Sequence, residues 1–319
     1  MNLAPLKAHF QLDTRIDGWS TDNLPALEQG AQRYTHWQHH TQNIGLQPDE
    51  HLLPRIVCHC PEDLPAFMNH PTDQHAELKQ QISALEPWDF WFQLSPGLTT
   101  NDNNVTRNRM VCRSHLISNT VAKLLGTRIT QSTVLDMGCH SGFFSFDVAS
   151  RGVQRVTGVE LRDENIRQAR FLQAHYQLPA IEFIQSDIMS WQPSGPFTAV
   201  MNLGLLYHVI DPITLVRKTY DWCTDFAVID TVCHKEPVSA YIAAFNKDIA
   251  RSGEGKYTAE LHPTYRALID TMHDAGFTDL IELIAGSGRI AGIYEKRTRR
   301  CIVGFKRPIN EVLRDSGLT

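Results

Sequence analysis

From about Thr106 onward, short apolar runs alternate with stretches in which apolar residues return every third or fourth position. Ile117, Val121 and Leu124 fall at helical spacing, and Gly126 supplies a stop. A strand TVLDM is expected at 133–137, then a loop punctuated by glycine, then a helix at 143–151 closed by Gly152. The next cycle is strand RVTGV at 155–159 and a helix from Asp163 to Tyr176, whose Asp163 and Glu164 sit at the positive end of the helix dipole. Strands IEFIQ at 181–185 and FTAVMN at 197–202, a helix near 213–221 and strand DFAVID at 225–230 continue the ladder. A helix at 263–275 and strands TDLIELI at 278–284 and RCIVGF at 300–305 close it. Apolar strands alternating with helices predict an α/β fold in which a doubly wound parallel sheet is covered on both faces.

The first part of the chain breaks this rhythm. Trp19, Trp37 and prolines at 48, 54, 61, 65 and 71 interrupt any period up to about residue 86, so short helices and irregular segments are expected there. The stretch EPWDFWFQLSPGLTTNDNN, residues 86–104, joins four aromatics to a Pro-Gly turn and a polar run, and reads as a strand or lid segment. The chain is therefore divided into a mostly helical or irregular N-terminal extension with its lid segment, 1–106, and a second unit, 107–319.

Composition narrows the function. The 319 residues match a prior of about two domains. Thirty Lys and Arg against thirty-five Asp and Glu leave a charge of −5, which does not attract a phosphate backbone over the whole surface. There is no apolar run of about 18 residues, and the charged start lacks the apolar stretch of a signal peptide, so a cytoplasmic protein without membrane contact is expected. Seven cysteines, an odd number, point to reduced thiols. Cys58 and Cys60 flank His59, but the spacing is too short for a usual zinc pair and no second pair is evident, so no metal is assigned.

In a doubly wound sheet, ligands sit outside the carboxyl ends of the strands. Four such positions carry chemistry. After the first strand comes Asp136-Met-Gly138-Cys139-His140-Ser-Gly142, where two glycines permit a tight turn and close approach. Glu160 follows the second strand, twenty-two residues beyond Gly138, near the distance at which an acid meets a ribose diol. Asp187 follows the third strand and Asn202 the fourth. The G-x-x-x-G spacing with bulky Phe143 and Phe144 behind it disfavours a dinucleotide, whose pyrophosphate needs more clearance.

The motifs VLDMGCHSGFFS, VTGVEL, QSDIM and NLGLLYHVIDP resemble those of the class I S-adenosylmethionine-dependent methyltransferases over about residues 107–306. The resemblance implies a Rossmann-like seven-stranded sheet with S-adenosyl-L-methionine as cofactor. Carried over, Gly138 and Gly142, with Asp136, Cys139 and His140 in the same loop, surround the methionine part. Glu160 holds the ribose hydroxyls, Asp187 orients the adenine, Leu161 and Ile188 are further cofactor-binding residues, and Asn202 with Leu203 flanks the sulfonium. The family usually has Gly where His140 stands, so this side chain is either a tolerated substitution or a contact to the acceptor.

Within that superfamily, PWDFWFQLSPGLTT, LGLLYHVIDP and YEKRTRRCIVGFKRP are similar to the group that includes the wobble-uridine tRNA modifying enzymes. That similarity implies a substrate side formed by Tyr207, Arg300 and Trp91. The lysine that carboxymethyl-transferring members use has no counterpart between Trp88 and Thr100, which favours ordinary methyl transfer.

In-line methyl transfer needs alignment and desolvation, and a base only if the acceptor loses a proton. His208 is the candidate base; its alternative is a structural histidine bonding a loop carbonyl. Tyr207 is a catalytic or pocket residue, or a plain core aromatic. Lys296, Arg297, Arg299 and Arg300 form a basic cluster, either a solvated face or a site in which Arg300 pairs with an acceptor carboxylate or phosphate. Residues 234–262 interrupt the ladder as a substrate-covering insertion hinged at Gly253 and Gly255, or as a static excursion. The expected function is methyl transfer to a small polar or carboxylated, possibly anionic, acceptor by a monomer or homodimer. The alternatives are a tRNA wobble-uridine modifier and a catalytically silent S-adenosylmethionine-binding partner subunit.

Overall fold

A computed structural model describes residues 10, 12–13, 53–68, 75–234, 236, 238–245, 259–285 and 298–318. Trp19, Trp37, Gly253, Gly255, Lys296 and Arg297 lie outside the described residues.

The ladder from 133 onward forms one twisted sheet. Its strands are β3 (Thr133–Met137), β4 (Arg155–Glu160), β5 (Ile181–Gln185), β6 (Phe197–Leu203), β7 (Cys223–Val232), β8 (Asp279–Ala285) and β9 (Arg299–Phe305). The order across the sheet is β5-β4-β3-β6-β7-β9-β8. All neighbours are parallel except β9, which runs antiparallel to both β7 and β8. The strand order turns back on itself between β3 and β6, the switch point at which such sheets open a crevice. This is the Rossmann-like, seven-stranded class I arrangement that the motifs imply.

Two further strands, β1 (Leu12–Asp13) and β2 (Arg55–Cys58), extend the β8 edge. They come from the extension expected to be mostly helical or irregular. A four-residue run, RIVC, shows too little alternation to stand out among prolines; pairing with β8 decides it. Arg55 is fixed there by a buried 2.9 Å ion pair with Glu282 of β8.

Helices cover both faces, because every central strand is apolar on both sides. Val134 joins the core on one face, with Phe143, Phe146, Ile166 and Leu172, while Leu135 and Met137 join the other, with Leu215, Leu268 and Met272. The first face is covered by α2 (Asn104–Arg113), α3 (Asn119–Leu125), α4 (Phe143–Ser150), α5 (Asp163–Tyr176) and α8 (Ile309–Asp315), after α1 (His75–Ala84) of the extension. The second is covered by α6 (Pro212–Trp222) and α7 (Tyr265–Ala275). Extension residues Ile56, Phe67, Trp91 and Phe92 share the first core with Phe143 and Phe146; Phe67 meets Phe143 edge-on at 5.7 Å.

Between α2 and α3 the helix widens into a π-turn at Ser114–Ser118, a device often found beside functional sites. Two hairpins lie outside the main sheet: Gln93–Ser95 with Leu98–Thr99, inside the expected lid segment, and Tyr241–Phe245 with Ala259–Pro263, inside the expected insertion. All seven cysteines are buried and unpaired. No described helix is long and apolar enough to cross a membrane.

Candidate active site

A cavity of about 830 Å³ opens at the carboxyl ends of β3, β4, β5 and β6, within the roughly 300–1,000 Å³ usual for ligand pockets. The loop leaving β3 forms its floor. Gly138, His140 and Gly142 all adopt positive φ, at 65°, 54° and 87°. A left-handed backbone is cheap for glycine and strained for most other residues, which is the physical reason a glycine is usual where His140 stands. Here the imidazole is held: it stacks on Phe90 at 4.1 Å between centroids and 12° between planes, and lies 3.5 Å from Asp89. The chemistry at this position is thus a clamp between the β3 loop and the lid segment.

The buried carboxylate of Glu160, at the end of β4, accepts from the backbone N–H of His140 at 3.0 Å and from that of Arg162 at 2.9 Å. Those two bonds aim it along the cavity wall, with acceptor capacity left for a diol. Asp187 follows β5 and is fixed by the N–H of Met189 at 2.9 Å. Val159, Leu161, Ile188 and Leu205 supply apolar wall around the two acids. A Cβ on Gly138 would come within 2.9 Å of Leu205, so the loop and the wall touch only because that residue is glycine. Two spaced carboxylates on an apolar slot suit a nucleoside with hydroxyls and an amino group and no phosphate; the residues fit S-adenosylmethionine.

The cavity lining also holds an arginine cluster. Asp230, at the end of β7 and fully buried, accepts on one oxygen from Arg113 at 2.7 Å and from Arg299 at 2.6 Å. Arg113, Arg109 and Arg299 all line the cavity. Gly204 lets this cluster close in: a Cβ there would lie 2.8 Å from a guanidinium nitrogen of Arg299 and 3.8 Å from the Tyr207 hydroxyl. Tyr207 and His208 form a short helical turn on the same rim, with ring centroids 4.1 Å apart.

Of the residues the sequence singles out, Gly138, His140, Glu160, Leu161, Asp187, Ile188, Leu203, Tyr207 and His208 line this cavity. Five others lie behind it. Asp136 is buried under the β3 loop and accepts from the Ser145 hydroxyl at 2.7 Å; burial pushes its carboxyl up to about 6. Cys139 is buried, and burial raises its thiol well above the usual range. Gly142 starts α4. Asn202 donates to Thr219 at 3.2 Å, and its buried carbonyl oxygen has no hydrogen-bond partner among the described residues. Trp91 is buried beneath Arg107, and its neighbours Trp88 and Phe90 line the cavity instead.

Arg300 is also outside the lining. It pairs with Glu282 at 2.6 Å and lies over the Tyr265 ring at 4.0 Å, on the opposite face of the sheet from Asp230. Neighbouring residues on a strand point to opposite faces, so the basic residue facing the cavity is Arg299. Arg113, Arg109 and Asp230 were not singled out from the sequence. Asp230 was findable by the strand-end rule, since it closes DFAVID; the two arginines leave no signal, because only the packing of α2 brings them to the rim. Among the described residues no group of three metal-ligating side chains comes together.

Residues 134–225 match the model of a family described as a methyltransferase domain. Fold, strand-end acids and this match agree on a methyltransferase domain of the class I, S-adenosylmethionine-dependent type over the matched residues 134–225. A ubiquinone biosynthesis O-methyltransferase of Xylella fastidiosa is 35% identical over 94 residues, 28% of this chain and 36% of that protein. A tRNA U34 carboxymethyltransferase of Trichodesmium erythraeum is 25% identical over 154 residues, 48% of this chain and 46% of that protein. The chain thus spans less than half the length of these curated relatives. The solved N-terminal domain of EvdMO1, determined in the presence of SAH and D-fucose, superposes with a TM-score of 0.56 at 18% identity, covering 75% of this chain and 99% of that one, and shows the common fold.

Proposed function

We propose that the protein transfers a methyl group from S-adenosylmethionine to a small polar acceptor bearing a carboxylate or similar anion. The observation that carries this reading is the charge set lining one cavity: Glu160 and Asp187, together with Arg113 and Arg299 on one buried carboxylate. When bound, the cofactor supplies a methyl group on a positively charged sulfur. Glu160 would hold the ribose hydroxyls, Asp187 the adenine amino group, and the β3 loop the methionine part. Arg299 and Arg113 would orient an acidic acceptor, two guanidinium forks being suited to a carboxylate. Phe90, His140 and Trp88 close the lid side and exclude water. In this reading residues 107–319 are the catalytic unit, and the extension, 1–106, caps the cavity.

Calorimetry tests the cofactor half: S-adenosylmethionine or S-adenosylhomocysteine should bind in the micromolar range, and Glu160→Ala or Asp187→Ala should weaken binding strongly. No heat at about millimolar ligand refutes it, two charge-assisted hydrogen bonds being worth several kcal/mol together. Mass spectrometry of carboxylated metabolites incubated with enzyme and cofactor tests the acceptor half, a product one methylene heavier being the expected result. Cofactor binding with no product from any class of acceptor supports instead a silent binding subunit.

A tRNA acceptor is the second reading, favoured by the similarity to the tRNA U34 carboxymethyltransferase across 154 residues. Tight tRNA binding that weakens steeply with added salt would favour it.

A further inference from the structure

His208 does not stand alone on the rim. Its Nδ1 lies 3.3 Å from one carboxylate oxygen of Glu260, and the other oxygen of Glu260 is 2.7 Å from Nε2 of His262. Glu260 is buried, with a side-chain exposure of 9%, on the strand Ala259–Pro263 of the insertion hairpin. His262 in turn meets Tyr207 edge-on at 5.4 Å, which ties the hairpin to the cavity rim. His208 lines the cavity; Glu260 does not.

We propose that Glu260 is a positioning residue for proton removal: it fixes His208 with its proton on Nδ1, leaving Nε2 as the proton acceptor for a hydroxyl or amine in the cavity. The inference rests on the methyl-transfer reading above and adds to it the class of acceptor, one that gives up a proton.

The physics of the arrangement is that of a base oriented by a third group. A neutral imidazole carries one N–H, and the nitrogen that keeps it is decided by which one has an acceptor. Among the described residues the carboxylate beside His208 lies at Nδ1, and His262 holds that carboxylate from its other oxygen. The groups around the imidazole are Glu260, Arg162, Arg299, His262 and Tyr207. Burial dominates among them, with the two arginines and His262 acting the same way and Glu260 opposing; together they pull the imidazole down to about 4. At neutral pH His208 is therefore unprotonated on Nε2 and able to accept. In the step itself the acceptor X–H bond breaks, its electron pair stays on X as the attacking pair, and the proton bonds to Nε2. The resulting imidazolium is stabilised by Glu260 and loses its proton to water, since the His208 side chain is 41% exposed.

Long-range proton–nitrogen NMR of the full chain at neutral pH reads the tautomer directly, with His208→Gln identifying the signals. A carboxylate 3.3 Å from one ring nitrogen favours the proton on that nitrogen, so His208 should show a protonated Nδ1 and a bare Nε2. Glu260→Ala should shift it toward the Nε2–H form, and Glu260→Gln, which keeps an acceptor oxygen, should restore Nδ1–H in large part. A protonated Nε2 in the unsubstituted chain, or the same tautomer in the unsubstituted chain and Glu260→Ala, overturns the proposal. Should Glu260→Ala not fold, the tautomer of the unsubstituted chain decides alone. S-adenosylhomocysteine calorimetry on the same samples separates the two failures: binding with the wrong tautomer sinks only this inference, while absence of binding sinks the methyl-transfer reading.

Discussion

Removing Asp230 is the sharpest perturbation the arginine cluster allows. Its carboxylate is fully buried and serves two guanidiniums at once, Arg113 at 2.7 Å and Arg299 at 2.6 Å, whose side chains are only 6% and 13% exposed. Asp230→Asn removes the carboxylate that both guanidiniums share. Breaking one buried pair by deleting a partner costs ~3–5 kcal/mol; the two pairs share one carboxylate and open onto a cavity that water enters, so we take the lower end, about 3 kcal/mol. With an m-value of roughly 3 kcal/mol per molar in urea, the unfolding midpoint should fall by about 1 M. Urea denaturation followed by fluorescence measures this. The control is Asp230→Asn combined with Arg113→Met and Arg299→Met, which should regain much of the loss, because apolar replacement of a whole buried charge cluster is often neutral or better. A midpoint for Asp230→Asn within about 0.2 M of the unsubstituted chain would show that the cluster is solvated and not a buried anchor, and would remove the argument that Asp230 presents the two arginines to an acceptor.

Three further outcomes follow from the same geometry. Gly204→Ala, at φ 83° with a Cβ 2.8 Å from Arg299, should displace that arginine and lower acceptor affinity about tenfold or more while leaving S-adenosylhomocysteine calorimetry little changed. Gly158→Ala overpacks the β4 face against Phe183 at 2.8 Å and Cys139 at 2.9 Å, and should cost ~1–3 kcal/mol in chemical denaturation. Asp136 supplies a pH test. Its carboxyl is raised from 3.8 to about 6, so between these values the folded chain binds the proton and the unfolded chain does not. The contribution of Asp136 therefore stabilises below about 4 and is lost as pH rises through about 6, by up to ~3 kcal/mol. Denaturation at pH 5 and pH 7.5 should show the unsubstituted chain losing stability relative to Asp136→Asn at the higher pH; an unchanged difference refutes the assignment.

The strand-end acids were legible because their positions follow from local pattern. Apolar runs fix where each strand stops, and in a parallel sheet all those ends lie on one edge, so Glu160 and Asp187 share a cavity wall without further information. The π-turn, the β2 edge strand and the His140–Phe90 stack had no such signal. Each depends on which surface a segment meets rather than on the order of its own residues.

The two arginines at the start of β9 mark the boundary most clearly. The sequence by itself determined an α/β sheet, a glycine loop, the cofactor-side acids and a basic cluster near the last strand. Only the tertiary structure decided which arginine faces the cavity. In the antiparallel register Cys301 stands opposite Asp230, so Arg299, two residues from Cys301, shares the face of Asp230, and Arg300 turns to Glu282 on the other side. A strand's side chains alternate with period two, so a one-residue ambiguity at its start is an ambiguity of face. Sequence spacing near a boundary does not settle it; the hydrogen-bond register with the neighbouring strand does.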